Sequence, residues 1–310
     1  MTGLRVRRAT PADDGAVVDL VARCLGWRPG DPNAELFRWK HRASPFGPSP
    51  AWVAEDDGRV VGFRTFMRWE FTDGARRYRA VRAVDTATDP AYRGRGVFRD
   101  LTTRAVDELA ADGVDFVFNT PNDQSLPGYL RMGWHVVGRL PLLLRVRTPV
   151  AALRTLRSRA PADLWSQPAD VGLPVRDVAW AGEADASGDG RLRTVRAPEY
   201  LRWRFGLSEL RYRALPTSGD PVVARWRRRG RALELAVVHV PAVPAGESAR
   251  AVREALRASG ADHAVALGSP VPRGMVRLPR QGPLLTARPL AGRPPGLAGW
   301  DLTLGDVELF

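Results

Sequence analysis

The sequence predicts a mixed α/β protein made of two related domains, and three observations carry that expectation. At 310 residues the chain is long for a single hydrophobic core. Strand-like and helix-like periods alternate along it, as in α/β (α+β, mixed-sheet) architectures. The order of elements in the first half also recurs, weakened, in the second.

Leu4–Arg8 reads as a short strand, and Thr10-Pro11-Ala12-Asp13 then combines an N-cap, a proline at the first helical position and an acidic residue three after the cap. Val17, Val18, Val21 and Leu25 form one apolar helix face, stopped by Gly26. A Pro/Gly-rich stretch from Trp27 to Pro50 follows, with a helical turn expected around Leu36–His41. Strands are expected at Ala51–Ala54 and Val60–Trp69, joined through Asp56-Asp57-Gly58, and again at Tyr78–Thr88. Phe98, Leu101, Thr102, Ala105, Val106 and Leu109 recur at helical spacing, and Asp115–Phe118 reads as a buried strand. A short helix ending at Met132 leads to one or two strands within Trp134–Val146. Thr148–Pro174 looks like a connector with a helix at Ala151–Ser158.

Beyond the connector, Tyr200-Leu201-Arg202-Trp203-Arg204-Phe205 echoes Leu36-Phe37-Arg38-Trp39-Lys40. Each is followed by a strand pair with a Gly-Arg turn, then a strand, a helix and a strand, in the second half Leu235–Val240, Ala249–Ala258 and Ala264–Leu267. The expected organisation is therefore a domain over 1–147, a connector over 148–174 and a second domain over 175–310.

Composition narrows the function classes. With 44% hydrophobic and 26% charged residues the chain is neither disordered nor fibrous. No apolar run reaches the roughly 18–20 residues of a membrane span, and no signal-peptide pattern opens the sequence, so a cytoplasmic protein is expected. Cys24 is the only cysteine and the four histidines lack ligand spacing, so no metal is expected. The net charge of +13 would suit nucleic acid or a phosphate-bearing cofactor. It is carried almost wholly by arginine, Lys40 being the sole lysine, a bias that base composition alone can produce.

Tyr92-Arg93-Gly94-Arg95-Gly96-Val97-Phe98 lies between a strand and a helix. Glycines there let the backbone turn tightly and present consecutive N–H groups, and the following helix adds its positive end, which makes an anion cradle. The turn is no P-loop, since no Gly-Lys-Ser/Thr follows, and it lacks the third glycine of a dinucleotide fingerprint. Downstream lies Asn122-Asp123-Gln124-Ser125-Leu126-Pro127-Gly128-Tyr129-Leu130-Arg131-Met132-Gly133-Trp134.

Together the two clusters resemble the GNAT N-acetyltransferase superfamily. Arg93 and Gly96 match its pyrophosphate signature, Asn122, Ser125, Tyr129 and Gly133-Trp134 its later one, and both stand in the family's order. Phe98 departs from the small residue usual at the signature's end, a feature of the tandem-GNAT branch resembling the enhanced-intracellular-survival acetyltransferases. That branch carries a second, degenerate GNAT-like domain, which agrees with the repeat.

The resemblance implies acetyl-CoA, or another acyl-CoA, as donor. Backbone of Thr86, Ala87 and Thr88 would pair with the pantetheine arm. Amides of Gly94, Arg95, Gly96, Val97, Phe98 and Arg99 would hold the pyrophosphate, with charge added by Arg93 and Arg95. Asn122 and Ser125 would line the thiol end, and Tyr129 would protonate the leaving sulfur. Candidates for the base are Asp85, Glu70 and, as in that branch, a terminal carboxylate, here that of Phe310. The expected acceptor is an amine of a small molecule, with no membrane or nucleic-acid partner. The alternatives are a Fem-like aminoacyl-tRNA-dependent transferase, which would use the basic charge, and a non-catalytic CoA-binding scaffold.

Overall fold

The computed structural model describes residues 4–158, 160–182, 189–268 and 274–308. Strand β1 (Arg5–Arg8) leads through a capped turn, in which Thr10 and Asp13 form the expected capping box, into helix α1 (Asp14–Leu25). Gly26 ends α1 in the left-handed region at φ 66°, where only glycine sits without strain. Helix α2 (Asn33–Arg42) is longer than the single turn the sequence suggested. Strands β2 (Ala51–Asp56) and β3 (Arg59–Thr72) form a hairpin. Its turn residues Asp57 and Gly58 take φ of 48° and 75°, the paired positive values that match a hairpin's twist. Strand β4 (Arg77–Thr88), helix α3 (Val97–Ala111) and strand β5 (Phe116–Asn119) make a parallel crossover unit. Helix α4 (Leu126–Arg131) and strands β6 (His135–Arg139) and β7 (Leu142–Val146) complete the first half.

The second half contains helix α5 (Pro149–Arg157) and short strands β8 (Leu173–Pro174) and β9 (Arg193–Thr194). Helix α6 (Pro198–Gly206) and strands β10 (Arg213–Leu215), β11 (Val222–Arg229) and β12 (Ala232–His239) follow. Helix α7 (Ala245–Ala258), strands β13 (His263–Leu267), β14 (Val276–Leu278) and β15 (Leu284–Pro289), and helix α8 (Leu304–Val307) end it.

Among the described residues the strands form two sheets, and the sheets exchange strands. The first runs β1-β2-β3-β4-β5-β15-β6, with β9 paired to β3, and the second β14-β7-β13-β12-β11-β10-β8. Thus β15, from the C-terminal end, is inserted between β5 and β6, while β7, from the first half, lies between β13 and β14. The linear partition into 1–147, 148–174 and 175–310 therefore cuts through both sheets. Nothing in Leu142-Leu143-Leu144 reports which sheet it joins, because a short continuous apolar run suits a strand of either sheet.

The internal echo is structural. Strands β4 and β5 pair in parallel over Ala80–Arg82 and Phe116–Phe118, and β12 and β13 do so over Glu234–Ala236 and His263–Val265. The echoing helices α2 and α6 meet at the centre. Trp39 and Trp203 stack at 4.9 Å, and each indole donates to the other residue's carbonyl, at 2.7 and 3.0 Å. Such a reciprocal pair is what a local two-fold relation between the halves produces, and its stacking adds about 0.5–1.5 kcal/mol beyond burial. One apolar cluster spans both halves here, including Trp69, Phe71 and Phe118 from the first sheet and Phe205, Val238 and Trp300 from the second half. The halves share a core and are not two beads on a linker.

Part of the basic charge is internal. Arg64, Arg82, Arg204 and Arg225 are among the largest fully buried side chains. The hairpin Trp226–Arg231, which reads as a solvated tip, is also partly core: Trp226 is buried, and Arg227 and Arg229 pair with buried Glu234 at 2.6 and 2.8 Å.

Candidate active site

Strand β4 ends at Thr88, and Asp89 caps the turn that follows by accepting from Ala91 N at 3.0 Å. Gly94 (φ 77°) and Gly96 (φ 83°) then bend the chain into α3. A β-carbon at either would be held where L-residues lose roughly 1–2 kcal/mol. The amides of Gly94 through Arg99 donate no hydrogen bond among the described residues, the first intrahelical donor being Asp100 N to Gly96 O at 3.0 Å. They open onto a cleft of about 460 Å³ walled by Thr88, Tyr92, Arg93, Phe98, Arg99, Arg131 and Met132 among others. Arg95 lies 4.9 Å above the Tyr92 ring, whose hydroxyl donates to Asp56 at 2.7 Å. Unspent amides, a helix N-terminus and several arginines make a site for a polyanion of pyrophosphate type.

One wall of this cleft is an opened strand edge. Pairing of β4 with β5 stops at Arg82↔Phe118, so beyond it β4 is laddered only to β3, and the side expected to receive an extended ligand lacks a partner strand over Thr86, Ala87 and Thr88. The β3–β4 ladder also slips between Arg64↔Thr86 and Thr65↔Val84, which leaves Asp85 as a bulge residue at φ 32°. At this bulge Asp85 turns toward α2, where it pairs with Lys40 and with His41 Nε2 at 2.8 Å. His41 Nδ1 in turn lies 3.0 Å from Ser49 Oγ. Burial pushes the Asp85 carboxyl up, but the Lys40 charge and the His41 hydrogen bond outweigh it and hold the group well below the usual carboxylate range. Burial also lowers His41, which is neutral at pH 7. A carboxylate so firmly paired is poorly suited to take a proton.

Asp85 lines a second cleft of about 680 Å³, with Trp27, Asp31, Phe37, Lys40, Asp163 and Trp165. Trp27 and the buried Phe37 thus both belong to a cleft wall, whereas Trp39 and Trp52 are core alone. Glu70 stands elsewhere on β3, 3.9 Å from Arg77.

Tyr129 is buried on α4, edge-on to Phe98 at 5.6 Å and 5.1 Å from Trp134. Its oxygen accepts from Arg64 Nη2 at 2.8 Å, and its own hydrogen has no acceptor among the described residues. Phe98 fills the space over Gly128, where an added β-carbon would come within 3.3 Å of the ring. The bulky residue therefore buttresses the tyrosine and leaves the amides of the turn open. Asn122 and Ser125 behave differently from expectation. Asn122 Oδ1 accepts from Ser125 N and Oγ, both at 2.9 Å, which closes the turn into α4, and neither residue walls the cleft.

The exchanged elements reach this site. On β15, Thr286 donates to Asn119 Oδ1 at 2.6 Å. On β4, Arg82 donates to the carbonyls of Asp306 and Val307 at 2.6 and 3.1 Å, tying the last helix to the strand opening. Phe310, named as a base candidate, lies outside the described residues. In the second half the turn from β12 to α7 contains Pro241 and Pro244, which have no N–H to offer, so it has no equivalent cradle.

Sequence reasoning missed Arg64, the Lys40–His41 partners of Asp85, and the cleft residues of the connector. Arg64 left one trace, a lone charge inside Val60-Val61-Gly62-Phe63-Arg64-Thr65-Phe66-Met67. Among the described residues no cluster of His, Cys, Asp or Glu could hold a metal ion, and no helix is long and apolar enough to cross a membrane.

Comparison with known proteins agrees with this geometry. Residues 5–137 match the acetyltransferase (GNAT) domain family. A mycothiol acetyltransferase of Acidimicrobium ferrooxidans is 31% identical over 147 residues, covering 45% of this chain and 46% of that protein. The match thus spans less than half the length of that curated relative. A GCN5-related N-acetyltransferase from Kribbella flavida shares the fold at a TM-score of 0.59 and 16% identity, over 93% of this chain and 71% of that one. Eis1 from Mycobacterium abscessus does so at 0.54 and 17%, over 93% and 74%.

Proposed function

We propose that the chain, whose residues 5–137 match the acetyltransferase (GNAT) domain family, is an acyltransferase that moves an acetyl group from acetyl-CoA to an amine of a small molecule. The observation that carries this reading is the run of unpartnered amides from Gly94 to Arg99, lying beside an opened β4 edge and a buried tyrosine with a free hydroxyl hydrogen. The cradle would hold the pyrophosphate, and the Thr86–Thr88 edge would pair with the pantetheine amides.

Transfer needs little else. The amine nitrogen bonds to the acetyl carbon and the carbon–sulfur bond breaks. Tyr129 gives its hydroxyl proton to the departing sulfur. The amine's proton leaves to water or a nearby carboxylate, and Tyr129 regains one from solvent. The acceptor would enter through the cleft that Asp85 lines, because β4 contributes Asp85 to that cleft and Thr88 to the cleft of the amide cradle. Asp85, locked to Lys40 and His41, would shape this cleft and orient the acceptor.

The test is release of free thiol from acetyl-CoA in the presence of tyramine, spermidine, lysine or glucosamine. Thiol release above the amine-free rate with at least one of them supports the reading. No release with any, together with no binding of CoA, would refute it.

A further inference from the structure

Arg64 is a buried cation without a counter-ion. Its side chain is about 1% exposed, and no carboxylate pairs with it among the described residues. Its Nε has no hydrogen-bond partner there either. Its guanidinium carbon lies 4.4 Å over the Phe66 ring, 5.5 Å over Phe98 and 5.4 Å over Tyr129. The only hydrogen bond it makes among the described residues is to the Tyr129 oxygen, at 2.8 Å. Aromatic faces offset part of the desolvation of such a charge, but they do not neutralise it. By contrast, Arg225, also fully buried, has Glu308 at 3.2 Å.

An uncompensated guanidinium on a phenol oxygen has one evident use. It leaves the phenol's hydrogen free to be donated, and it becomes satisfied when that hydrogen departs and the oxygen turns negative. We propose that Arg64 is a positioning residue for the transfer reaction, which orients Tyr129 as proton donor and stabilises the phenolate formed when Tyr129 protonates the leaving sulfur. The inference rests on the acid role assigned to Tyr129 above. In the step itself the carbon–sulfur bond breaks, the sulfur takes the Tyr129 proton, and the phenolate faces Arg64 until solvent returns a proton. The charge is built into the fold beforehand, so no reorganisation is needed as the phenolate forms. Arg64 reaches this place because the bulge at Asp85 resets the β3–β4 register beside it.

The test is a double-mutant cycle of Arg64→Gln and Tyr129→Phe, with Arg64→Lys as the conservative variant. Turnover is measured with acetyl-CoA and the fastest amine of the four named above, and CoA affinity by calorimetry. Arg64→Gln should lower kcat by about 10- to 100-fold while CoA affinity changes less than about threefold. The double variant should be no slower than Tyr129→Phe within about twofold, and Arg64→Lys should recover most of the lost kcat. Losses that multiply in the double variant would overturn the inference. So would equal losses of kcat and CoA affinity, or a lysine variant as slow as the glutamine one. Should Arg64→Gln fail to fold, the same cycle is run with Arg64→Lys, whose residual loss must vanish in the Tyr129→Phe background. Unchanged turnover in Tyr129→Phe alone would refute the acid role itself, a result distinct from a slowed Tyr129→Phe with additive Arg64 effects.

Discussion

Replacing Gly282 by alanine strikes the point where the two exchanged strands cross. The chain passes from the first sheet to the second between β6 and β7, and returns between β14 and β15, and these passages touch at Gly282. A β-carbon there would lie 1.6 Å from Leu140 O, 2.8 Å from Leu140 C and 3.3 Å from Leu142 N. A carbon–oxygen contact needs about 3.3 Å, so the passages must separate by well over an ångström. Separation breaks the bond from Leu140 N to Pro283 O at 2.9 Å and strains that from Arg139 Nη1 to Gly282 O at 3.1 Å. Lost and unsatisfied backbone groups cost about 1–3 kcal/mol, and forced repacking about 1–3 more. A total of roughly 3–5 kcal/mol corresponds to a fall in Tm of roughly 6–15 °C. Thermal and urea unfolding measure it, with Gly246→Ala as control: that glycine is in α7 and an added β-carbon meets nothing within 4 Å. The control should be neutral or stabilised by up to about 1 kcal/mol. Gly282→Ala melting within about 2 °C of the parent would refute the crossing as a constraint on the fold.

Other consequences follow from the same geometry. Glu308 accepts from Arg225 at 3.2 Å, Arg227 at 3.4 Å and Tyr212 at 3.1 Å, so Glu308→Gln should cost about 3–5 kcal/mol in urea unfolding by stranding buried arginines. Stability should fall with acid in two stages. His41, lowered by burial, binds a proton more readily when unfolded, so stability declines as pH drops below the free-histidine value of about 6.5. Asp85 and Glu234, both held low by their cationic partners, contribute stability that is complete above about pH 4.3 and is lost as pH falls further toward their folded values. A Tm–pH series should show both stages, and His41→Gln should shrink the upper one alone. Gly96→Ala, which puts a β-carbon at φ 83° and 3.3 Å from Arg99 Nη2, should lose about 1 kcal/mol of stability and at least about fivefold in CoA affinity by calorimetry.

Local features of the site were legible in the sequence, and non-local ones were not. The glycines of the cradle and the caps of α1 follow from backbone conformations that few residues tolerate, so residue identity alone announces them. Tyr129 was readable because it, Asn122 and Gly133-Trp134 lie in one short stretch of chain whose residue types carry the family resemblance. The strand exchange was hidden because β15 pairs with β5 across Asn119↔Thr286, far apart in the chain, and the composition of either strand suits both sheets. Asp85, a candidate base on β4, is directed to Lys40 and His41 at a bulge, and the bulge depends on β3 as much as on β4, so β4 alone does not announce it. Asn122 and Ser125 were assigned to the thiol end by the family resemblance, while their hydrogen bonds to each other close the turn into α4. The Trp39–Trp203 pair is the converse case, a weak echo in sequence that marks the axis relating the halves.

The proposed function requires one CoA cradle per chain, at Gly94–Arg99, and calorimetric titration with CoA measures it. The Gly94→Asp variant is the discriminating partner. An added β-carbon there meets nothing within 4 Å and aspartate tolerates the left-handed backbone, so the fold should persist while a carboxylate enters the cradle. One equivalent of CoA should bind per parent chain, and affinity should be at least about 30-fold weaker in the variant, with Tm lowered by only a few degrees. Equal affinity in the two proteins, or two equivalents bound per chain, would contradict it.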